Sequence, residues 1–163
     1  MGTTDPRCPC DTGRPYELCC APYHRGEREA PDPSALMRSR YSAFVRGDDA
    51  YLLRTMHPDN ANLEEGADEF VRGLKQAFRM YRYEGLRVLD HRPPASDGIA
   101  EVLFLARVRE GKRDRSFVER SYFARDDRGW RYLAGDLLPL GALPGKPEAL
   151  TLDAFTRALE AAR

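Results

Sequence analysis

The sequence predicts an α+β protein in which helices pack on one face of a curved antiparallel sheet, preceded by a small cysteine-bearing knuckle. Three observations carry this prediction. Apolar residues recur at helical spacing in the first half of the 163-residue chain, the apolar period changes toward two from Arg82 onward, and all four cysteines lie in the first 20 residues. Helices followed by strands are typical of an α+β domain, and a chain of this length forms one main domain.

Composition divides the chain into three segments. Residues 1–30 carry the cysteines and form the knuckle, residues 31–138 carry the helical and strand patterns, and residues 139–163 combine a link rich in proline and glycine with a terminal helix. Pro31 and Pro33 mark the first boundary, because proline restricts its own backbone and that of the residue before it. We therefore expect one main domain with an N-terminal attachment and a C-terminal tail.

Three helices are predicted in the first half. The first begins at an N-cap, Ser34, and ends at Gly47, with an apolar face made by Met37, Tyr41, Phe44 and Val45. The second is capped by Asp48 or Asp49 and ends at His57, which precedes a proline. The third has a clean apolar face made by Phe70, Val71, Leu74, Ala77 and Phe78.

Strands are predicted in the second half. Apolar residues alternate at residues 86–88, 100–108, 117–123 and 130–137, and short turns separate these stretches. Because the turns are short, the last three strands should form an antiparallel meander.

The tail is predicted to be irregular over residues 139–147 and helical after a cap at Thr151. Leu152, Phe155 and Leu159 share one side of that helix. The sequence does not say whether this side packs on its own domain or on a partner, and self-packing is the commoner outcome for one short amphipathic helix.

Charge and hydropathy indicate the cellular compartment in which the protein is expected. Lysine plus arginine and aspartate plus glutamate each number 26, so the net charge is zero and no global field would recruit nucleic acid or an anionic membrane. No stretch approaches the roughly 20 consecutive apolar residues of a membrane span. Residues 1–10 lack the apolar run of a signal peptide. We therefore expect a cytoplasmic protein without a membrane span.

One local stretch is basic. Residues 107–131 hold nine basic and five acidic side chains. An RNA or ribosomal surface would combine such residues with exposed aromatic side chains, whereas alternating signs are typical of the solvated side of a sheet. We favour the solvated sheet and keep nucleic acid or the ribosome as the alternative.

The cysteine cluster is the most informative feature. It reads Cys8-Pro9-Cys10, then eight residues, then Cys19-Cys20. Thiols gathered on a short segment in a reducing compartment are more often metal ligands than disulfides. Four thiolates complete a closed tetrahedral shell, which suits structural zinc or a single iron and leaves no position open for a substrate.

Three alternatives to four-cysteine ligation stay open. Two disulfides would require export. A redox pair of Cys19 and Cys20 would form a strained vicinal disulfide. His24, four residues after Cys20, could replace one thiolate as a ligand, although a lone histidine near a metal loop more often lies outside the ligand set.

The segment CPCDTGRPYELCCAPYHRG resembles the SEC-C motif, named for the tail of the SecA translocation ATPase, where Cys-x-Cys, eight residues and Cys-His or Cys-Cys coordinate zinc. The spacing matches at all four cysteines, and Tyr16 is the aromatic residue in the intervening loop. A departure is Asp11-Thr12-Gly13, where the family usually has Gly-Ser-Gly. This resemblance implies a zinc-organised knuckle that contacts another protein, which for SecA is the export chaperone SecB.

The segments ALMRSRYSAFVRGDDAYLLRTMHPD and ERSYFARDDRGWRYLAGD resemble the YchJ family of small bacterial proteins, and the resemblance extends from Cys8 to Asp136. It implies a SEC-C knuckle followed by a cone-shaped domain similar to nuclear transport factor 2. Met56 departs from the family, which tends to carry tryptophan there.

Such a cone implies a cavity between the sheet and the helices, where related folds place acid and base residues. The candidate residues are Arg38, Arg40, Tyr41, His57, Glu119, Ser121 and Asp136. Glu119 and His57 would make a proton-transfer pair. The structural alternative is that Arg40 forms a buried ion pair with Glu119 or Asp136.

Two functions are therefore weighed. In the first, which we prefer, the protein is a metal-binding adaptor whose knuckle presents Arg14, Tyr16 and Glu17 to a protein partner, while the cone is a scaffold or a cup for a small ligand. In the second, it is an enzyme that acts on a small molecule in the cone cavity, with Glu119, His57 or Asp136 as the base.

Overall fold

The structure, a computed structural model, describes residues 7–163. The predicted knuckle begins at residue 1, so its residues 1–6 lie outside the described residues. These six residues also make up most of the stretch on which the prediction about a signal peptide was based. Within residues 7–163, no helix combines the length and the apolar character needed to cross a membrane.

Helices precede and follow the sheet. They are α1 (Ala21–His24), α2 (Pro33–Arg46), α3 (Asp49–Arg54), α4 (Ala67–Met80) and α5 (Leu152–Ala161). Single 3₁₀ turns lie at Tyr16–Leu18, Ala61–Leu63, Leu140–Ala142 and Pro147–Ala149. The three helices predicted in the first half of the chain and the helix capped by Thr151 are all present.

The start of α2 differs from the prediction. Asp32, not Ser34, is the N-cap, and its Oδ1 accepts a hydrogen bond of 2.8 Å from the Ala35 N–H. The reason is Pro33 at the first helical position, where the missing N–H costs nothing and the fixed φ suits a helix. The end is as predicted, since Gly47 closes α2 at a left-handed φ of 71°.

The sheet is an antiparallel meander. Its strands are β1 (Arg82–Arg92), β2 (Ala100–Glu110), β3 (Arg113–Asp114), β4 (Phe117–Arg125) and β5 (Trp130–Pro139). The long strands pair in the order β1-β2-β4-β5, and the two-residue β3 pairs with β2. This topology confirms the predicted arrangement, in which short turns join neighbouring strands.

The helices of the first half lie on one face of the sheet, as predicted. The buried cluster on this face contains Leu86, Val102, Phe104, Val108, Phe123 and Trp130 from the sheet and Leu36, Met37 and Tyr41 from α2. Ala43, Tyr51, Leu52 and Leu74 form a second cluster, which joins α2, α3 and α4.

The opposite face is covered by the tail. Leu152, Phe155 and Ala158 of α5 are buried in a cluster with Leu103, Leu105, Val118 and Leu138 of the sheet. The predicted apolar side of the terminal helix therefore packs on its own domain. The central strand β2 is consequently buried on both faces.

Candidate functional site

The four cysteine sulfurs converge at one point beside α2. The Sγ atoms of Cys8, Cys10, Cys19 and Cys20 all lie within 4.8 Å of one another, and Cys10 Sγ is 3.5 Å from Cys19 Sγ. A tetrahedral zinc site with Zn–S distances of about 2.3 Å places its sulfurs about 3.8 Å apart, so the donor set and its spacing fit such an ion. Three of these cysteines are buried, and Cys19 is half-buried.

A tight backbone turn brings the first two cysteines to the last two. Cys8 N–H donates to Arg14 O at 2.8 Å, and Asp11 N–H donates to Cys8 O at 3.3 Å. Asp11 adopts a left-handed φ of 67°, a conformation that glycine reaches without strain. This is the position where the SEC-C family usually has glycine, so the departure noted in the sequence costs backbone strain and leaves the ligands in place.

The thiols interact strongly with one another. The neighbouring thiols of Cys10 and Cys8, together with burial, raise the pKa of Cys20. Thiolates so close together repel, and a divalent cation between them would offset that repulsion and hold all four deprotonated. The arrangement therefore suits a closed structural metal site.

The cysteine cluster rests on α2. Arg38 donates from its guanidinium to Cys10 O at 2.7 Å, and Ser42 Oγ lies 3.7 Å from Cys8 Sγ. Arg38 was predicted to complete the cone cavity, and the structure instead places its charged group on the knuckle. These contacts tie the knuckle to the helix that also faces the sheet.

His24 is held away from the four sulfurs by its own partners. Its Nδ1 lies 2.7 Å from Tyr16 Oη, and its Nε2 lies 2.8 Å from Ser39 O in α2. Both ring nitrogens are thus engaged, which leaves neither one for a metal ion.

We expect His24→Ala to leave the metal content unchanged while lowering stability by about 1–3 kcal/mol, because Tyr16 Oη and Ser39 O lose a half-buried partner. Elemental analysis and urea unfolding on the same sample measure both quantities. Loss of the metal in His24→Ala would instead identify the histidine as a ligand.

Tyr16 and Arg14 differ in their placement. Tyr16 is not presented outward, contrary to the prediction, because its hydroxyl bonds to His24 and the Arg46 guanidinium lies 3.9 Å from its ring centroid. Arg14 is exposed, and it donates to Leu18 O at 2.6 Å. Leu18 itself is 68% exposed and was missed in the sequence, where a leucine in a loop carries no distinguishing signal.

A cavity of about 280 Å³ lies between the helices and the sheet. Arg40, Tyr41, Glu119 and Ser121 line it, as the sequence predicted. Apolar side chains make most of the remaining wall: Met37, Phe44, Met56, Phe70, Leu74, Phe104, Ala106, Phe117 and Phe123.

A hydrogen-bonded group lies on the sheet wall of this cavity. Glu119 Oε2 accepts hydrogen bonds from Ser121 Oγ and, at 3.0 Å, from Tyr132 Oη. A Cβ on Gly135, which pairs with Ser121 across the strands, would stand 2.7 Å from Glu119 Oε2. Only glycine leaves room there, so Gly135 and Tyr132 belong to the site, although neither was among the sequence candidates.

Arg40 is a buried structural donor. Its guanidinium donates to Leu52 O at 2.9 Å and to Thr55 Oγ1 at 2.6 Å, and it lies 4.7 Å from the centroid of the Tyr132 ring. The alternative in which Arg40 pairs with Asp136 is wrong, because Asp136 belongs to the other face of the sheet.

Asp136 binds Arg120 at 2.8 Å and Tyr122 Oη at 2.9 Å on the α5 side. A bulge explains this placement. Phe123 pairs with Tyr132 and Tyr122 with Ala134, so β5 carries one extra residue, which moves Asp136 to the face opposite Glu119.

His57 is absent from the described lining of the cavity. Its N–H donates to Tyr132 O at 2.9 Å, and its Nδ1 accepts from the Asp59 N–H at 3.1 Å. Its ring therefore caps the turn at residues 57–59, and the predicted proton-transfer pair with Glu119 is not assembled among the residues that line the cavity.

The basic stretch at residues 107–131 forms ion pairs with several acidic side chains. Arg107 binds Glu148 at 2.6 Å and Arg115 binds Glu110 at 2.9 Å. The buried Arg131 binds Glu29 at 2.9 Å and Asp126 at 3.0 Å. Much of this positive charge is thus matched within the molecule.

Comparisons with known proteins agree with both parts of the site. A family model described as the YchJ middle NTF2-like domain matches residues 32–135. A SEC-C motif containing protein from Rhodopseudomonas palustris is 32% identical with a TM-score of 0.68, and the match covers 80% of this chain and 97% of that one. Another from Psychrobacter arcticus is 26% identical with a TM-score of 0.62, over 85% and 87% of the two chains.

A third structure supports the fold alone. It is a domain of unknown function with a cystatin-like fold from Nostoc punctiforme, 17% identical with a TM-score of 0.51, and the match covers 78% of this chain and 90% of that one.

Proposed function

Since the chain belongs to the YchJ family, we propose that it is a zinc-binding adaptor whose knuckle contacts a protein partner. The observation that carries the proposal is the convergence of four cysteine sulfurs within 4.8 Å beside a solvent-facing loop. A closed four-sulfur site has no open position for a substrate, so its value lies in holding that loop in one conformation. A rigid loop loses less conformational entropy when it binds.

Zinc is the ion proposed for the site. Four thiolates also accept a single iron. The resemblance to the SEC-C motif, after which both similar structures are described, implies zinc. The proposal places the protein in the cytoplasm, where thiols stay reduced and available to a metal.

The binding surface of the knuckle is centred on Leu18. This side chain is 68% exposed, next to the exposed Arg14. An exposed leucine beside a guanidinium suits a partner that offers an apolar pocket with an acidic rim. Tyr16, which the sequence suggested as a contact residue, is assigned a structural role because it packs on His24 and Arg46.

The test compares capture from a lysate by wild type and by variants, with mass spectrometry as the readout. A partner of the knuckle should be lost with Leu18→Ser, with Arg14→Ala and with the double variant Cys8→Ser, Cys10→Ser. Leu137→Ser is the matched control, because Leu137 is another exposed leucine, with 50% of its surface exposed, but it lies on β5 and not on the knuckle. Capture that survives Leu18→Ser and the double cysteine variant would refute the adaptor role.

A further inference from the structure

The proposed function of the knuckle gives no role to the lining of the cone cavity. Its wall is mainly aromatic and aliphatic, and the group formed by Glu119, Ser121 and Tyr132 supplies a polar point on the sheet side. Apolar cavities with a few convergent polar groups are typical of small-molecule sites.

The two carboxyl oxygens of Glu119 differ in their hydrogen bonds. Oε2 accepts from the hydroxyls of Ser121 and Tyr132, while Oε1 has no hydrogen bond to any residue in 7–163. Burial raises the pKa of Glu119, while Ser121, Tyr132 and Arg40 act to lower it. Glu119 is half-buried and lines the cavity, so this oxygen can accept a hydrogen bond from a molecule that occupies the cavity.

The charges that line the cavity and the volume of the cavity indicate which kind of molecule would supply this donor. The Arg40 guanidinium, fixed by Leu52 O and Thr55 Oγ1, lines the same cavity, and its positive charge acts to lower the pKa of Glu119. A neutral donor therefore fits better than a second cation. An apolar cavity of roughly 150 Å³ holds benzene. The cavity here is about 280 Å³, which has room for a two-ring molecule, and the phenylalanine side chains in its wall favour a flat aromatic one.

We propose that the cone cavity binds a flat, uncharged, bicyclic aromatic molecule that donates one hydrogen bond to Glu119 Oε1. Phe104, Phe117 and Phe123 surround the ring system, and Gly135 leaves the space in which Glu119 and Tyr132 meet. This inference concerns the cone and does not rest on the metal or on the partner of the knuckle.

The test uses indole and benzofuran, two bicyclic probes of nearly the same shape, of which only indole has an N–H donor. Titration calorimetry on the full chain should show that indole binds at least about tenfold more tightly, because the site rejects an analogue that leaves its acceptor unpaired. Equal affinities, or no binding of either probe up to its solubility limit, would overturn the proposal.

Glu119→Gln assigns the preference to the carboxyl. Its amide oxygen can still accept from Ser121 and Tyr132, which turns the NH₂ group toward the position of Oε1 and replaces the acceptor with a donor. The preference for indole should then fall to about equal affinities, with an unchanged circular dichroism spectrum. A preference retained in Glu119→Gln would show that indole binds elsewhere and would refute the proposal.

Discussion

Cys20→Ser should release the metal from a protein that otherwise binds one ion per chain. Cys20 is 2% exposed and supplies one of the four converging sulfurs, so a serine hydroxyl there replaces a thiolate with a poor zinc ligand. Loss of a hydrogen-bond partner of a metal ligand typically lowers metal affinity about 10- to 100-fold. Loss of a ligand itself should lower the affinity by more than that. Elemental analysis of protein purified without chelators, together with competition against a chromogenic chelator, measures it.

Ser42→Ala is the matched control for that variant. It removes the hydroxyl 3.7 Å from Cys8 Sγ and keeps all four ligands, so it should retain one ion per chain. Wild-type protein without zinc or iron, or Cys20→Ser with full metal content, would contradict the four-cysteine site.

Removing the ion from wild type should disorder the knuckle while the sheet persists. The cysteine cluster is small, with Tyr16 as its aromatic neighbour, whereas the sheet is buried on both faces by separate clusters. Hydrogen exchange after chelation should therefore increase at residues 7–20 and stay low in β2. A cooperative loss of the sheet would show that the knuckle and the cone form one folding unit.

Local patterns predicted the helices and strands because each depends on near neighbours in the chain. Gly47 ends α2, Asp48 caps α3 and Thr151 caps α5. The convergence of the four thiols was equally predictable, since their spacing favours a common metal ion and the four sulfurs lie within 4.8 Å of one another.

Features that depend on strand register could not be predicted from the sequence. A strict period of two places Tyr132, Ala134 and Asp136 on one face of β5. The extra residue at the bulge breaks that period, so Asp136 lies with Arg120 on the α5 side. Nothing in the local composition marks this bulge.

The sequence of β2 also indicates that the sheet is buried on its second face, which the period-two interpretation did not take into account. Val102, Phe104 and Ala106 alternate with period two, but the intervening residues Leu103 and Leu105 are also apolar. A continuous apolar run is typical of a strand covered on both faces, which requires a second layer. Both leucines are buried, and α5 is that layer.

The contacts between the knuckle and the cone could not be predicted from either segment alone. Arg38, Ser39 and Ser42 lie within a few residues of one another in α2, and each contacts a different part of the knuckle. Arg40 and Tyr41, from the same short run, line the cavity. One helix thus contacts both the cysteine cluster and the cavity.

Phe155→Ala should destabilise the protein by about 3–5 kcal/mol, the usual cost of removing a fully buried phenylalanine. Phe155 is 0% exposed and packs with Leu103 and Val118 between α5 and the sheet. The Arg120 guanidinium also lies 5.6 Å from its ring centroid. Because α5 has ten residues and too little helix stability of its own, loss of this contact should release the helix and leave Leu103 in water.

Arg157→Ala is the matched control, since Arg157 lies on the exposed side of α5 and alanine keeps the helix propensity. Its free energy of unfolding in urea should stay within about 0.5 kcal/mol of wild type. Far-UV circular dichroism of Phe155→Ala should show loss of helix with retention of the sheet, since the cluster between α2 and the sheet is separate. An unfolding midpoint equal to that of wild type would mean that α5 does not contribute its apolar side to this domain, and that the sheet face formed by Leu103, Leu105, Val118 and Leu138 is covered in some other way.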